Sequence, residues 1–275
     1  MISIKDLGFS YNEKIVLKNI TMNLEEGRIY GLLGENGVGK TTLLTLLCGL
    51  KKVKAGSIDI DGHDPYDREP SLLSDIYYLS DEVQAANMKA EEYARNYGKF
   101  WNGFDPDKFL TIMEEFGNDP NQKMNQMSFG QLKETHIAFA LSCNSKYIFM
   151  DEPTNGLDIP SKTQFKKAVM KHTREDSTLL ISTHQVRDLE NIIDPIIILD
   201  RQEVLLNASM EEISDKLYFD YSNEKADDAL YCELIPGGSI QVIPNADKRE
   251  SKVNLEALFN AVYHHKDIFR GLFNR

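Results

Sequence analysis

The sequence predicts an α/β fold: a mainly parallel sheet with helices on both faces. Three observations carry this. Short continuous apolar runs, "IYGLL", "YIFMD", "STLLIST" and "PIIILD", have the character of strands buried on both faces. Helical patterns separate them, as "SKTQFKKAVMKHT" separates the second run from the third. The first run leads directly into a glycine-rich turn and then a helix, the order in which a strand presents a phosphate-binding loop.

Residues 2 to 30 read as short strands, with a turn at Asn12-Glu13 and alternation in "ITMNL". A helix runs from Lys40 through "TTLLTLLCGL" and is ended by Gly49. "GSIDIDG" is an alternating strand with a turn. Residues 83 to 140 lack long β-branched runs and are mostly helical in pattern. "KYIFMDE" and "STLLIST" are buried strands, and "PIIILDRQEVLLN" reads as strand, turn and strand. From about residue 205 the character changes. "SMEEISDKL" is a short helix with Ser209 and Glu212 placed for a capping box. "ALYCELIPGGSIQVIP" is a hairpin turned at Pro236-Gly237-Gly238, and "VNLEALFNAVYHH" is a terminal helix capped by Asn254. The expected division is a main domain over 1–205 and a small α+β appendage over 206–275.

At 275 residues the chain has room for one large α/β domain plus an appendage. Its 41% hydrophobic and 27% charged residues are those of a soluble globular protein. No stretch approaches the roughly 18 apolar residues of a membrane span, and "MISIKDLGFSY" lacks a signal-peptide pattern. Cys48, Cys143 and Cys232 cannot all pair and show no metal-ligand spacing, so a reduced, cytoplasmic setting is expected. A net charge of −12 argues against nucleic acid as the main partner, since such domains usually present a basic face.

The pattern G-x-x-x-x-G-K-T spans Gly34 to Thr41. Its glycines allow backbone angles that a Cβ forbids, so successive N–H groups converge as an anion nest at a helix N-terminus. Lys40 then reaches the β- and γ-phosphates of a nucleotide, and the Thr41 hydroxyl ligates Mg²⁺. "YIFMDE" ends a buried strand in two acids. Asp151 suits the Mg²⁺ role, and Glu152 suits that of general base on the attacking water. In "DEPTNGLD", Pro153 and Gly156 enforce a tight loop that Asp158 closes. His184 follows another parallel strand, at the edge where ligands bind such sheets, and is a candidate γ-phosphate sensor.

The order "GENGVGKTT", "MSFGQ", "IFMDEPTNGLD" and "STHQ" resembles the ATP-binding subunit of ABC transporters over roughly residues 2 to 205. "MSFGQ" discriminates, because other P-loop classes do not place an L-S-G-G-Q-like segment shortly before the acidic strand. In isolation "MSFGQLKE" reads as an ordinary Ser-capped helix. The resemblance implies a P-loop NTPase (RecA-like) core, an N-terminal antiparallel β subdomain and an inserted helical subdomain near 83–135. It matches Tyr11 to the aromatic residue that stacks on adenine. Gly34, Glu35, Asn36, Gly37, Val38, Gly39, Lys40, Thr41 and Thr42 match the phosphate loop, Asp151 the Mg²⁺ acid, Glu152 the base, Asp158 the inter-subunit loop acid and His184 the switch histidine. Ser128, Phe129, Gly130 and Gln131 would grip the γ-phosphate held by another subunit. Met127 and Phe129 are mild departures. Lys133-Glu134 stand where the family usually has Gln-Arg. Asp81 stands where it has glutamine or glutamate, and as a carboxylate can ligate Mg²⁺, with neighbouring Glu82 the alternative for that role.

The implied cofactors are ATP and Mg²⁺. The implied partners are a second ATP-binding subunit, as a homodimer, and a separate polytopic permease at the inner face of the cell membrane. Export, of the drug or lantibiotic kind, is the expected direction. The helical insertion would dock on the permease, with the aromatics of "YARNYGKFWNGF" either at that contact or in the subdomain's own core. The alternative is a soluble, non-transport ABC ATPase of the cofactor-assembly type.

Overall fold

The buried runs assemble in the order that parallel crossovers require. The structure, a computed structural model, describes residues 1–273. Its elements are β1 (Ile2–Tyr11), β2 (Lys14–Leu24), β3 (Ile29–Leu33), α1 (Lys40–Leu47), β4 (Ala55–Ile60), α2 (Pro70–Leu73), β5 (Ile76–Leu79), α3 (Ala90–Tyr97), α4 (Pro106–Glu115), α5 (Phe129–Ser142), β6 (Tyr147–Asp151), α6 (Ile159–His172), β7 (Thr178–Thr183), β8 (Ile196–Asp200), β9 (Glu203–Ala208), α7 (Met210–Lys216), β10 (Leu217–Ser222), β11 (Tyr231–Ile235), β12 (Gly238–Pro244), α8 (Leu255–His264) and α9 (Lys266–Phe273). The central sheet has the order β5-β6-β7-β3-β8-β9 and is parallel except for β9, which returns antiparallel along β8. A second, antiparallel sheet, β2-β1-β4, forms the expected N-terminal β layer.

The apolar runs are continuous because each strand divides its residues between two cores. Tyr147, Phe149, Leu180, Ile197 and Leu199 face the core shared with the antiparallel sheet and α1. Their neighbours Ile148, Met150, Leu179, Ile181, Ile196 and Ile198 face the core shared with the helical region. A period of two with both faces covered leaves no polar position. The same arrangement brings the C-terminal ends of β3, β6 and β7 side by side, with Asp151 opposite Ser182.

Between β5 and β6 lie the helices α3, α4 and α5. Phe139 on α5 sits among five rings, with centroids 5.8 Å from Tyr77, 5.2 Å from Tyr93, 5.7 Å from Trp101, 5.4 Å from Phe104 and 6.4 Å from Phe109. Trp101 also donates from Nε1 to the Ile76 carbonyl at 2.9 Å. Most of the aromatics of "YARNYGKFWNGF" therefore belong to the subdomain's own core. Tyr97 and Phe100 remain exposed.

Beyond β9 the expected capping box at Ser209 and Glu212 forms, as do the hairpin of β11 and β12 and the Asn254 cap of α8. Two elements depart from expectation. The helix starting at Met210 ends at Lys216, and Leu217 opens β10, which pairs with β12 to make a sheet of order β10-β12-β11. No glycine or proline marks that switch. Likewise α9 begins one residue after His265. The residues of this segment that point inward, among them Phe219, Val242, Leu258 and Phe269, join the core on the helical side of the main sheet. The boundary expected at 205/206 falls inside β9, so the chain passes into this segment without a linker.

Phe139→Ala should cost about 3–5 kcal/mol, since the surrounding rings cannot all collapse into the space left. Urea unfolding measures it, and a loss under about 1 kcal/mol would show that the rings do not pack as a unit.

Candidate nucleotide site

The end of β3 turns sharply before α1. Gly39 caps α1 with φ +117°, a conformation open to glycine and strained for other residues. At Gly34 the limit is space: a Cβ would stand 2.5 Å from the Leu199 carbonyl oxygen. Folded this way, the turn brings the Lys40 side chain back over its own loop. Lys40 is only 6% exposed, and its Nζ donates to the carbonyls of Gly34 at 2.8 Å and Glu35 at 3.2 Å. It also lies 3.3 Å from Glu152 Oε1.

Beside it, Asp151 is held at both oxygens. Thr41 Oγ1 donates to Oδ2 at 2.6 Å and Ser182 Oγ to Oδ1 at 2.5 Å. Thr41 and Asp151 thus offer paired hard oxygen ligands, the donor set that suits Mg²⁺. Glu152 adopts φ +45°, which is strained for a residue with a Cβ. Its amide donates to the Ser182 carbonyl and hydroxyl, both at 3.1 Å, and its Oε2 accepts from the His184 amide at 3.3 Å. His184 Nδ1 lies 3.0 Å from Glu152 Oε1, yet neither atom has a hydrogen bond of proper alignment. The buried carboxylate oxygen therefore keeps bonding capacity beside the lysine, where a water can use it.

Tyr11, Asn36, Gly37, Gly39, Lys40, Thr41, Thr42, Asp151 and Glu152 line one cleft of about 340 Å³, while Gly34, Glu35 and Val38 do not line it. The Tyr11 ring is half-exposed at this cleft, with its hydroxyl 3.4 Å from Thr42 Oγ1 and Lys51 Nζ over its face at 5.0 Å. His184 reaches the site through Glu152 and lines a neighbouring hollow with Arg187 and Asn260. Ser128, Phe129, Gly130 and Gln131 do not line the cleft. Ser128 and Gln131 form a reciprocal capping box at the start of α5, which begins at Phe129. Phe129 packs against Gly156, where a Cβ would meet its ring at 2.3 Å. Asp158 caps α6 by accepting from the Ser161 amide at 2.9 Å, a bond that holds its carboxyl below the usual pKa.

Asp81 also lines the cleft, and its partners come from distant segments that no local pattern assigns. Lys133, from α5, donates to the Asp81 carbonyl at 2.6 Å and to Oδ1 at 3.3 Å. Asn155, from the loop after Glu152, donates to Oδ1 at 3.2 Å and Oδ2 at 3.3 Å. Burial lowers the Lys133 pKa and the Asp81 charge opposes the shift. Two of the positions that depart from the family pattern, Asp81 and Lys133, are thus in contact. A further lock is Asp188, which accepts from Thr154 Oγ1 at 2.9 Å and pairs with Lys162 at 2.7 Å, tying the loop after Glu152 to the turn after His184.

The family described as ABC transporter matches residues 17–155, just over half of the chain. This chain belongs to that family. Over 243 residues it is 28% identical to the ABC transporter ATP-binding protein NatA of Bacillus subtilis, covering 84% of this chain and 96% of NatA. It is 27% identical to the lantibiotic transport ATP-binding protein SrtF of Streptococcus pyogenes, covering 77% of this chain and 92% of SrtF. A bacterial ABC transporter cassette solved as a dimer superposes with a TM-score of 0.65 at 25% identity, covering 76% of this chain and 98% of that one. The chain is an ATP-binding, ATP-hydrolysing subunit of the ABC transporter class with the P-loop fold. No helix among the described residues is long and apolar enough to cross a membrane.

Asp81→Asn should leave the buried Lys133 charge without its counter-charge. Since Asp81 is 37% exposed, solvent limits the loss to about 1–2 kcal/mol. Adding Lys133→Met should recover part of it. A double-mutant cycle in urea that is additive within about 0.5 kcal/mol would show that the pair is not coupled.

Proposed function

We propose that this subunit binds Mg–ATP in the cleft at the ends of β3 and β6 and hydrolyses it between two copies of the chain, driving a separate membrane permease that works in export. The observation that carries the reading is the convergence of Lys40, Thr41, Asp151, Glu152 and His184 through contacts of 2.6–3.3 Å. On ATP binding, the Lys40 ammonium exchanges the Gly34 and Glu35 carbonyls for phosphate oxygens, a charge-assisted and stronger bond. That move releases Glu152 from its lysine partner and leaves the carboxylate free to orient a water and take its proton. His184 holds Glu152 through its amide, and its ring, beside the Glu152 carboxylate, would sense the γ-phosphate. Tyr11 supplies the face on which adenine stacks. Mg²⁺, held by Thr41 and Asp151 with Asp81 within reach of the same cleft, would neutralise charge on the phosphates.

The second subunit is inferred from the start of α5. Ser128, Phe129, Gly130 and Gln131 sit outside their own cleft, and no atom from beyond its own turn of helix stands within 4 Å of where a Gly130 Cβ would be. An open helix N-terminus with a serine cap suits a phosphate brought by another copy. Asp158, exposed on the adjoining loop, would meet the same partner. Export rests on the likeness to SrtF, named for lantibiotic transport. The soluble, cofactor-assembly alternative is not favoured. We take residues 1–208 as the ATP-binding domain, which keeps β9 whole, with the remainder as an appendage packed on it.

Lys40→Ala should weaken ATP binding by about 10- to 100-fold, the worth of a hydrogen bond to a charged group, as read by calorimetry. Unchanged affinity would remove the phosphate loop from the site. Tyr11→Ala should cost about 0.5–1.5 kcal/mol of ATP binding, and Tyr11→Trp should restore most of it.

Glu152→Gln should still bind ATP yet stall hydrolysis, and with ATP and Mg²⁺ it should elute as a dimer that dissociates in ADP. Adding Ser128→Arg should abolish the dimer while each subunit still binds ATP. Wild-type turnover in Glu152→Gln would falsify the base assignment, and a dimer that survives Ser128→Arg would sink the composite site.

A further inference from the structure

The C-terminal segment reaches the phosphate loop itself. Tyr263, in the last turn of α8, is separated from Glu35 by 228 residues of chain, yet its hydroxyl accepts a hydrogen bond from the Glu35 amide at 3.2 Å. The same hydroxyl donates to the Leu199 carbonyl at 3.2 Å. Burial raises the phenol to about 12, so at neutral pH the group keeps its proton and can accept and donate together.

Which peptide this holds matters. The Glu35 amide and the Gly34 carbonyl belong to one planar peptide unit. Lys40 grips that unit at its carbonyl end, at 2.8 Å, and Tyr263 grips it at its N–H end. The Leu199 carbonyl, where the hydroxyl donates, is also the group that crowds Gly34, 2.5 Å from the position of a Cβ. Tyr263 thus ties the end of β8 to the first residues of the phosphate loop. Once Lys40 turns to phosphate, its grip is lost and Tyr263 is the hydroxyl that keeps the peptide in register. The same helix braces the other side of the site. Glu256 on α8 accepts from Arg187 Nε at 2.7 Å, three residues past His184.

The geometry points to Tyr263 as a positioning residue for ATP binding: by bridging Leu199 and Glu35 it fixes the Gly34–Glu35 peptide and makes the C-terminal segment part of the nucleotide site. This rests on the reading of Gly34–Thr41 as the ATP phosphate loop. Tyr263 does not touch the nucleotide. It acts through the loop backbone, so its contribution falls on affinity and not on the chemical step.

Tyr263→Phe keeps the ring and its packing on Phe259, 4.5 Å away between centroids, and removes only the hydroxyl. In the full-length protein its dissociation constant for ATP should rise about 3- to 10-fold, the worth of one hydrogen bond. KM for ATP should rise in parallel, with kcat at saturating ATP unchanged and only a small drop in melting temperature. Ala261→Gly, one turn-half earlier on α8, weakens the helix while leaving the hydroxyl in place. It should lower the melting temperature without altering ATP affinity. Lys40→Ala is measured alongside. If Lys40→Ala loses ATP while Tyr263→Phe binds it as the wild type does, or binds it more tightly, the proposal is overturned and the phosphate-loop reading stands. If Ala261→Gly weakens ATP as much as Tyr263→Phe, general loosening of α8 explains the effect and the proposal also fails. If Lys40→Ala changes nothing, the underlying reading is wrong.

Discussion

A lysine that is almost wholly buried must be paired, because an isolated charge in low dielectric costs far more than folding can offset. Lys40 meets this with two carbonyls of its own loop and the Glu152 carboxylate. Much of the site follows from that constraint. The loop has to curl back over the ammonium, which calls for glycine at Gly34 and Gly39. The carboxylate has to stand beside it, which puts Glu152 just beyond β6 at a strained φ. The parallel order β6-β7-β3 is what brings the lysine and the carboxylate to the same edge. A charge held by groups that phosphate can outbid is stable without ligand and available to it.

The strain at Glu152 fits the same logic. A left-handed, non-glycine residue costs about 1–3 kcal/mol, and the cost is borne by a dense local network. The amide bonds to Ser182 twice, Ser182 bonds to Asp151, and Asp151 bonds to Thr41. These links pass from β7 through β6 to α1, so Thr41, Asp151 and Glu152 share one frame. A small shift in any strand is felt by both.

The sheet, the phosphate loop and the acids were legible in the sequence because each rests on short-range chemistry. A strand covered on both faces must be continuously apolar, as "YIFMD" is, and a tight anion nest must carry glycines where the backbone turns. Ser209 and Asn254 were readable as caps because capping is a contact within four residues. The elements that were missed lack such marks. β10 follows α7 with no breaker between them, and its place is set by pairing with β12, from Leu217 with Pro244 to Ser222 with Ser239. α9 owes its burial to Phe269 reaching a distant core. The contacts of Tyr263 with Glu35 and of Lys133 with Asp81 join segments 228 and 52 residues apart, and no local pattern encodes them.

The Asp81 and Lys133 contact changes how two departures from the family pattern are understood. Taken singly, an aspartate in the glutamine position is too short, and a buried lysine on α5 is an unexplained charge. Together each supplies what the other needs. Lys133 lies wholly inside, with the Asp81 carbonyl and carboxylate as its acceptors. Asp81, shorter by one methylene than glutamate, is drawn between α5 and Asn155. The helical region and the loop that follows Glu152 are thereby joined across a single carboxylate that also faces the phosphate cleft. Where a neutral glutamine could offer hydrogen bonds alone, the contact between the cleft and the helical region at this position is charged. Its strength therefore depends on how much of that charge the cleft screens.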